Sequence, residues 1–397
     1  IALPYNNVAE RGPRLPIVKT AGCPLDAPIV KDTIVAVMSV IALRNPPYNG
    51  KLLVNRREEI YINIVGSNAL FLVRKGDLNA DSTLKTNLPE PLVLRYNAGD
   101  CIHLTLENQF DPSILPGADN QQFTNSNPQY NYNWQGSLNV GLSPTLLSYD
   151  PTESDGFTVG NNPVQTVAPG KTGTYHWYAG QWERQPDGSA KATPVEFGSI
   201  VLQPADVLEH WLHGMEGAII IEPQGATWRE DVNSRASATV YNQGKLLFRE
   251  FVLQFNDLTN QTSITLANYS TEPIPYRVIG KNNNNSWQLD LTQAFSNRLA
   301  GEPETPVFAV QKGTPTRIRL LSAQGASNGA VFELHGHLWQ EEPYIANSTQ
   351  LGYNPKSEWK GTQGQVGAFN AFDLLINKAG GTNAVPGDYL YLSLIHI

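Results

Sequence analysis

The stretch Pro91-Leu92-Val93-Leu94-Arg95-Tyr96-Asn97-Ala98-Gly99-Asp100-Cys101-Ile102-His103-Leu104-Thr105-Leu106-Glu107-Asn108 decides the fold class. Pro91–Arg95 is apolar and β-prone. Asn97-Ala98-Gly99-Asp100 carries turn residues. From Cys101 to Asn108 apolar and polar residues alternate with period two, the mark of a strand with one buried face. The same grammar recurs outward. Ile34–Leu43 is a β-rich run ending at the turn Asn45-Pro46-Pro47-Tyr48-Asn49-Gly50, and Glu59–Ile64 alternates. Gly173–Tyr178, Gly217–Pro223, Lys245–Phe255, Phe308–Val310, Thr316–Leu321 and Val331–Leu334 read as further strands. Residues 109–138 read as a long polar loop, and one short helix is expected around Leu291–Phe295. Two strand-rich halves without βαβ alternation indicate an all-β chain of two sandwiches.

Composition agrees. Of 397 residues only 16% are charged, against about a quarter in ordinary domains, while 33 Gly and 28 Pro supply turns. A diffuse net charge of −8 excludes the basic stripe that a nucleic-acid partner requires. No apolar run is long enough for a membrane span. The chain begins with Ile1 rather than Met, as a processed, exported chain would. Cys23 and Cys101 form a disulfide if the compartment is oxidising and remain two buried thiols otherwise. Neither lies in a metal-type Cys-x-x-Cys. Eight Trp and sixteen Tyr fill sandwich cores and rims, and a surface patch of them would suit a sugar or a partner subunit. No Gly-x-Ser-x-Gly elbow, phosphate-binding Gly loop or His-Glu-x-x-His is present. Glu341-Glu342 and Glu302/Glu304 read as solvated loop charges. Asn260, Asn268, Asn284 and Asn347 stand in glycosylation-type triplets, which matter only in an organism that uses that pathway.

Several segments, in order, resemble the multicopper oxidase family, especially its bacterial copper-oxidase and manganese-oxidase branch. Pro91–Asp100 is similar to a domain-entry strand with its Gly-Asp turn. Asn139-Val140-Gly141-Leu142-Ser143-Pro144, with Tyr149-Asp150 and Ser154-Asp155-Gly156, resembles the first ligand loop. Gly173–Tyr178 resembles the second, and Phe332-Glu333-Leu334-His335-Gly336-His337-Leu338-Trp339 the third. Gly214–Pro223 is similar to the closing strand of a first cupredoxin domain. Gly387-Asp388-Tyr389-Leu390-Tyr391 resembles the strand before a last ligand loop. The resemblance implies tandem cupredoxin-like Greek-key β-sandwiches: an N-terminal extension over 1–27, domain 1 over 28–225 and domain 2 over 226–397. Gln224–Trp228 is the expected linker. It also implies a secreted, periplasmic or cell-surface location.

The resemblance further implies copper. A blue site takes two imidazoles, a Cys thiolate and often an axial Met, because soft sulfur tunes a copper potential. The family's three-copper cluster takes about eight more imidazoles, yet the chain has seven His in all. Ser143, Tyr178, Gly180, Ala330 and Glu333 stand where the family places imidazoles, and Ala205 stands at the thiolate. His335 keeps one ligand position and His337 follows it. If the strand continues, these two face one side and suit a shared metal or a hydrogen-bonded pair. His210 and Met215 keep the His-x4-Met end of the blue-copper loop. They form either a soft-metal remnant or a core Met beside a His satisfied by a backbone carbonyl. His103, His176, His213 and His396 are not expected to be ligands. Two readings follow. In one, copper at His335, His337, His210 and Met215 supports oxidation of a metal ion or small phenol. In the other, the scaffold is a non-catalytic extracellular structural, assembly or binding module that has lost its coppers and holds none. The closing strand of domain 2 is expected to be missing: either the protein continues past the last residue, or another copy supplies that strand at an open edge, making a homo-oligomer.

Overall fold

In the computed structural model the two halves of the deciding stretch are both strands, but they do not pair with each other. Each belongs to a different sheet, and the Asn97–Asp100 turn carries the chain from one layer to the other. Residues 22–38, 70–85, 90–113, 136–207, 209–212, 214–232, 234–255, 279–281, 287–303, 305–322 and 330–393 are described. Glu59–Ile64, most of the 109–138 loop, Glu304, His213, His396 and the triplets at Asn260, Asn268 and Asn284 lie outside them.

The first half contains β1 (Ile29–Met38), β2 (Leu70–Arg74), β3 (Leu92–Asn97), β4 (Cys101–Asn108), β5 (Leu142–Pro144), β6 (Thr172–Tyr178), β7 (Gly180–Arg184), β8 (Ala190–Pro194), β9 (Gly198–Pro204) and β10 (Gly217–Glu222). One sheet has the order β2-β1-β4-β6 and the other β3-β10-β9-β5; β7 and β8 form a hairpin. β1 runs parallel to β4 and β3 parallel to β10, so strands distant in sequence are neighbours in space. Ile102, Leu104 and Leu106 on one sheet and Ile200, Ile219 and Ile221 on the other are 0% exposed and form the core between the layers.

The second half contains β11 (Ala226–Asp231), β12 (Ser234–Asn242), β13 (Lys245–Phe255), β14 (Ile279–Lys281), β15 (Trp287–Leu289), β16 (Thr316–Ser322), β17 (Ala330–Leu334), β18 (Trp339–Gln340), β19 (Trp359–Lys360), β20 (Thr362–Val366), β21 (Ala371–Ile376) and β22 (Tyr391–Ser393). A sheet β11-β12-β13-β16-β21 faces a smaller sheet β20-β17-β22 across Ile318, Leu320, Phe332, Trp339 and Leu374. The chain is therefore all-β, with two sandwiches in succession.

Four expectations change. The first strand starts at Ile29 rather than Ile34, because Ile29 already pairs with Cys101. Gln224–Trp228 is not all linker: Gly225 (φ 73°) completes a tight turn, and β11 begins at Ala226. Phe308–Val310 is not a strand. Phe308 instead anchors an irregular segment by its ring, 4.8 Å from that of Phe251 and 5.9 Å from that of Tyr391. The short helix near Leu291–Phe295 is a 3₁₀ turn, Leu291–Gln293, followed by a helical turn, Asn297–Ala300.

The two sandwiches meet face to face. In β10, Ile219 and Ile221 point into the first core, while Ala218 and Ile220 pack on Val252 and Leu321 of the second half. That double burial explains the unbroken apolar run Gly217–Ile221. Polar residues share this interface. Arg319 is 0% exposed and donates to Glu250 (2.7 Å), Glu222 (3.0 Å) and Asp373 (2.7 Å). Asp373 in turn accepts from the backbone N–H (3.1 Å) and hydroxyl (2.7 Å) of Ser199 in β9. Gly198 makes that approach possible. Its φ is +66°, and a Cβ there would collide with the Asp373 carboxylate. Gly198→Ala is therefore expected to destabilise the chain by about 2 kcal/mol or more. Gly160→Ala, at φ +53° with open space around it, should lose only about 1 kcal/mol. Urea denaturation midpoints of the two variants check this.

Candidate functional site

The segment similar to a first ligand loop is closed by its own hydrogen bonds. Ser143 is 7% exposed, and its hydroxyl lies 3.2 Å from Tyr149 Oη and 3.3 Å from Asp155 Oδ1. Tyr149 donates to the same carboxylate at 2.9 Å. The cluster satisfies itself and holds no imidazole. Tyr178 is buried against the Cys23–Cys101 disulfide, which is formed. At Gly180 a Cβ would collide with Thr193 O and the Tyr178 ring, so no side chain fits there. Ala330 is 4% exposed within the second core.

His335 and His337 do not share a face. β17 ends at Leu334, and Gly336 (φ 71°) turns the chain, so the period-two argument lapses between them. The His335 side chain is half-exposed, with Nε2 3.6 Å from Glu333 Oε1. His337 is buried. Its Nδ1 donates to His335 O (2.9 Å), and its Nε2 accepts from the backbone N–H groups of Gly380 (3.1 Å) and Gly381 (3.0 Å). Its ring lies edge-on to Tyr389. This set fixes a neutral Nδ1–H tautomer and uses both nitrogens, leaving no lone pair for a metal.

His210 sits on a single helical turn, Glu209–Leu212, and is 0% exposed. Its Nε2 lies 2.6 Å from Ser137 O, and its carbonyl accepts from Met215 N at 2.9 Å. Met215 is 0% exposed within the first core. Met215 packs in the core, and the His210 ring lies against a backbone carbonyl. Among the described residues no three His, Cys, Asp or Glu side chains converge as a metal centre requires. The donors at the expected copper positions do not fit that metal.

Concave geometry appears elsewhere. An open cleft of about 590 Å³ lies where the two sandwiches meet. Its floor is Arg317, 2.5 Å from Glu196 Oε1 and stacked 3.8 Å above the Phe248 ring centroid. Glu196 also accepts from Leu351 N at 3.0 Å, and Glu196 N donates to Thr349 O at 2.9 Å. The second half's 349–351 segment is thereby strapped onto the first. Trp359 (50% exposed) and Tyr353 (62% exposed) line the cleft beside Asn242, Gln224 and Asn377. The sequence alone could not reveal the cleft, because its lining comes from segments as far apart as Ala98 and Asn377.

No family model and no curated protein matches the chain. Solved structures similar to it include a multicopper oxidase (14% identity, TM-score 0.45, 94% of this chain and 87% of that one). Others are a blue copper oxidase from Nitrosomonas europaea (14%, 0.42, 92% and 80%) and a multi-copper oxidase from Pseudomonas Thermotolerans (12%, 0.43, 88% and 58%). Among the described residues no helix is long and apolar enough to cross a membrane.

Proposed function

We propose that the chain is a non-catalytic extracellular binding module whose ligand, a neutral carbohydrate, lies in the cleft between the sandwiches. The observation that carries this reading is the pair of exposed aromatics, Trp359 and Tyr353, above a floor whose charges are already matched. Large exposed rings offer an apolar face to the C–H side of a sugar. Amides of Asn242, Gln224 and Asn377 both donate and accept, as hydroxyl groups do. With Arg317 held by Glu196, the floor offers no lone charge to an ionic ligand. The cleft's volume lies in the range of small-molecule sites, and such sites favour domain junctions. The Cys23–Cys101 disulfide suits an oxidising compartment and supports export.

Titration of the protein with neutral oligosaccharides, followed by tryptophan fluorescence and calorimetry, tests the reading. Saturable binding is expected, weakened about tenfold or more, or about 1.4 kcal/mol, in Trp359→Ala. The thermal midpoint should be unchanged, since the ring is half-exposed. Equal affinity in Trp359→Ala, or no response to any neutral oligosaccharide, would refute it.

A further inference from the structure

His103 and His176 differ from the other described histidines. They stand directly opposite each other on the antiparallel strands β4 and β6. Their neighbours Ile102, Leu104, Tyr175 and Trp177 point into the core, so the two imidazoles share the outer face of the sheet. The ring centroids are 4.4 Å apart and the planes lie at 83°. Among the described residues neither ring is hydrogen-bonded to the protein, whereas His337 and His210 spend ring nitrogens on backbone groups.

We propose that His103 and His176 form a two-imidazole surface site for a divalent transition-metal ion, Cu²⁺ or Ni²⁺, separate from the cleft. A metal–nitrogen bond of about 2.0–2.1 Å puts an ion about 3.2 Å from each ring centroid. Two imidazoles bound at right angles then have centroids about 4.5 Å apart. The observed spacing matches the cis edge of a tetragonal site, the geometry Cu²⁺ and Ni²⁺ prefer. The site requires each ring to turn one nitrogen toward the ion by rotation about χ2, with water completing the coordination.

The surroundings keep both ligands available. Burial lowers the affinity of each ring for a proton, and for His103 the nearby His176 and Lys31 add to this. This favours the neutral imidazole, the form that binds metal. Lys31 lies beside His103 on β1, and its charge disfavours the ion. Exposed Glu153, close enough to raise the proton affinity of His176, offsets that charge electrostatically without joining the site. Thr105 and Thr174, 3.3 Å apart, form the next rung of the ladder.

Titration of the full chain with Cu²⁺, read by electron paramagnetic resonance and calorimetry, is the test. One tight equivalent per chain with two-nitrogen hyperfine structure is expected. His103→Gln and His176→Gln should each weaken it about tenfold or more, His335→Gln should leave it unchanged, and Zn²⁺ should bind less tightly. In the unaltered protein, Cu²⁺ should broaden the imidazole proton resonances of His103 and His176 first. Unchanged affinity in both Gln variants, or broadening that begins at other histidines, would overturn the site. Neither outcome bears on sugar binding at Trp359.

Discussion

Arg319→Met is expected to destabilise the folded chain by about 3–5 kcal/mol, the usual loss when one partner of a buried ion pair is removed. Arg319 is fully buried between the sandwiches and serves three carboxyl groups, Glu250, Glu222 and Asp373. Methionine fills similar space but strands those charges away from water. The carboxyl groups are not equivalent. Glu250 accepts from Arg319 at 2.7 Å and from Arg95 at 2.8 Å, and these cations hold its carboxyl down at about 2 despite burial. Glu222 is pushed well up by burial and by the neighbouring charge of Glu250. Its Oε2 accepts from Arg319, and its raised proton affinity favours sharing a proton with Glu250.

The two single amide variants should therefore diverge. Glu222→Gln keeps a donor where the protonated acid had one and should lose less than about 1 kcal/mol. Glu250→Gln removes the charge between two buried guanidinium groups and should lose about 3–5 kcal/mol. The pH dependence has opposite signs. Glu250, lowered on folding, contributes stability that is complete above its unfolded value of 4.5 and is lost as pH falls through about 2. Glu222, raised on folding, contributes stability that is present below 4.5 and fades as pH rises through its raised value. Urea midpoints across pH should fall on the alkaline side in the wild type and stay flatter in Glu222→Gln. Equal losses in the two amide variants would remove the asymmetric proton from this account.

This network was illegible in the sequence for a definable reason. Arg95, Glu222, Glu250, Arg319 and Asp373 each occupy the alternate face of a strand whose other face fills a core. A polar residue at such a position reads as solvent-facing, and period two cannot tell water from a second sandwich. The runs Gly217–Ile221 and Thr316–Leu321 carried the only hint, because both faces of each are covered. Strand identity was legible because Ile102, Leu104 and Leu106 had to point one way. Strand partners were not: β1 beside β4 and β3 beside β10 depend on contacts far apart in sequence. The candidate sites show the same limit. A motif fixes residue order, but Gly336 places His335 outside and His337 inside. His103 and His176 become a pair only through the β4–β6 register.

Removing the disulfide is the other change of large expected effect. Cys23 and Cys101 are joined across 78 residues, with Cα atoms 5.7 Å apart. In the chain-entropy description a closure of that length restricts the unfolded chain by about 4–5 kcal/mol at 25 °C. The bond sits where it ties the beginning of the described chain to the sheet: Cys101 opens β4, and Ile29 of β1 pairs with it in parallel register. Around it the native packing is self-sufficient. Tyr178, Trp182, Ala27 and Ala192 enclose both sulfurs, Trp182 Nε1 donates to Gly22 O at 3.0 Å, and Cys101 N donates to Pro28 O at 2.8 Å. Cys23→Ala/Cys101→Ala should therefore fold to the same structure and lose about 4 kcal/mol, with the denaturant slope rising because a freed unfolded chain exposes more surface. Guanidinium denaturation of both forms measures loss and slope together. A loss of that size with an unchanged slope would place the effect in native packing around Tyr178 rather than in the unfolded chain.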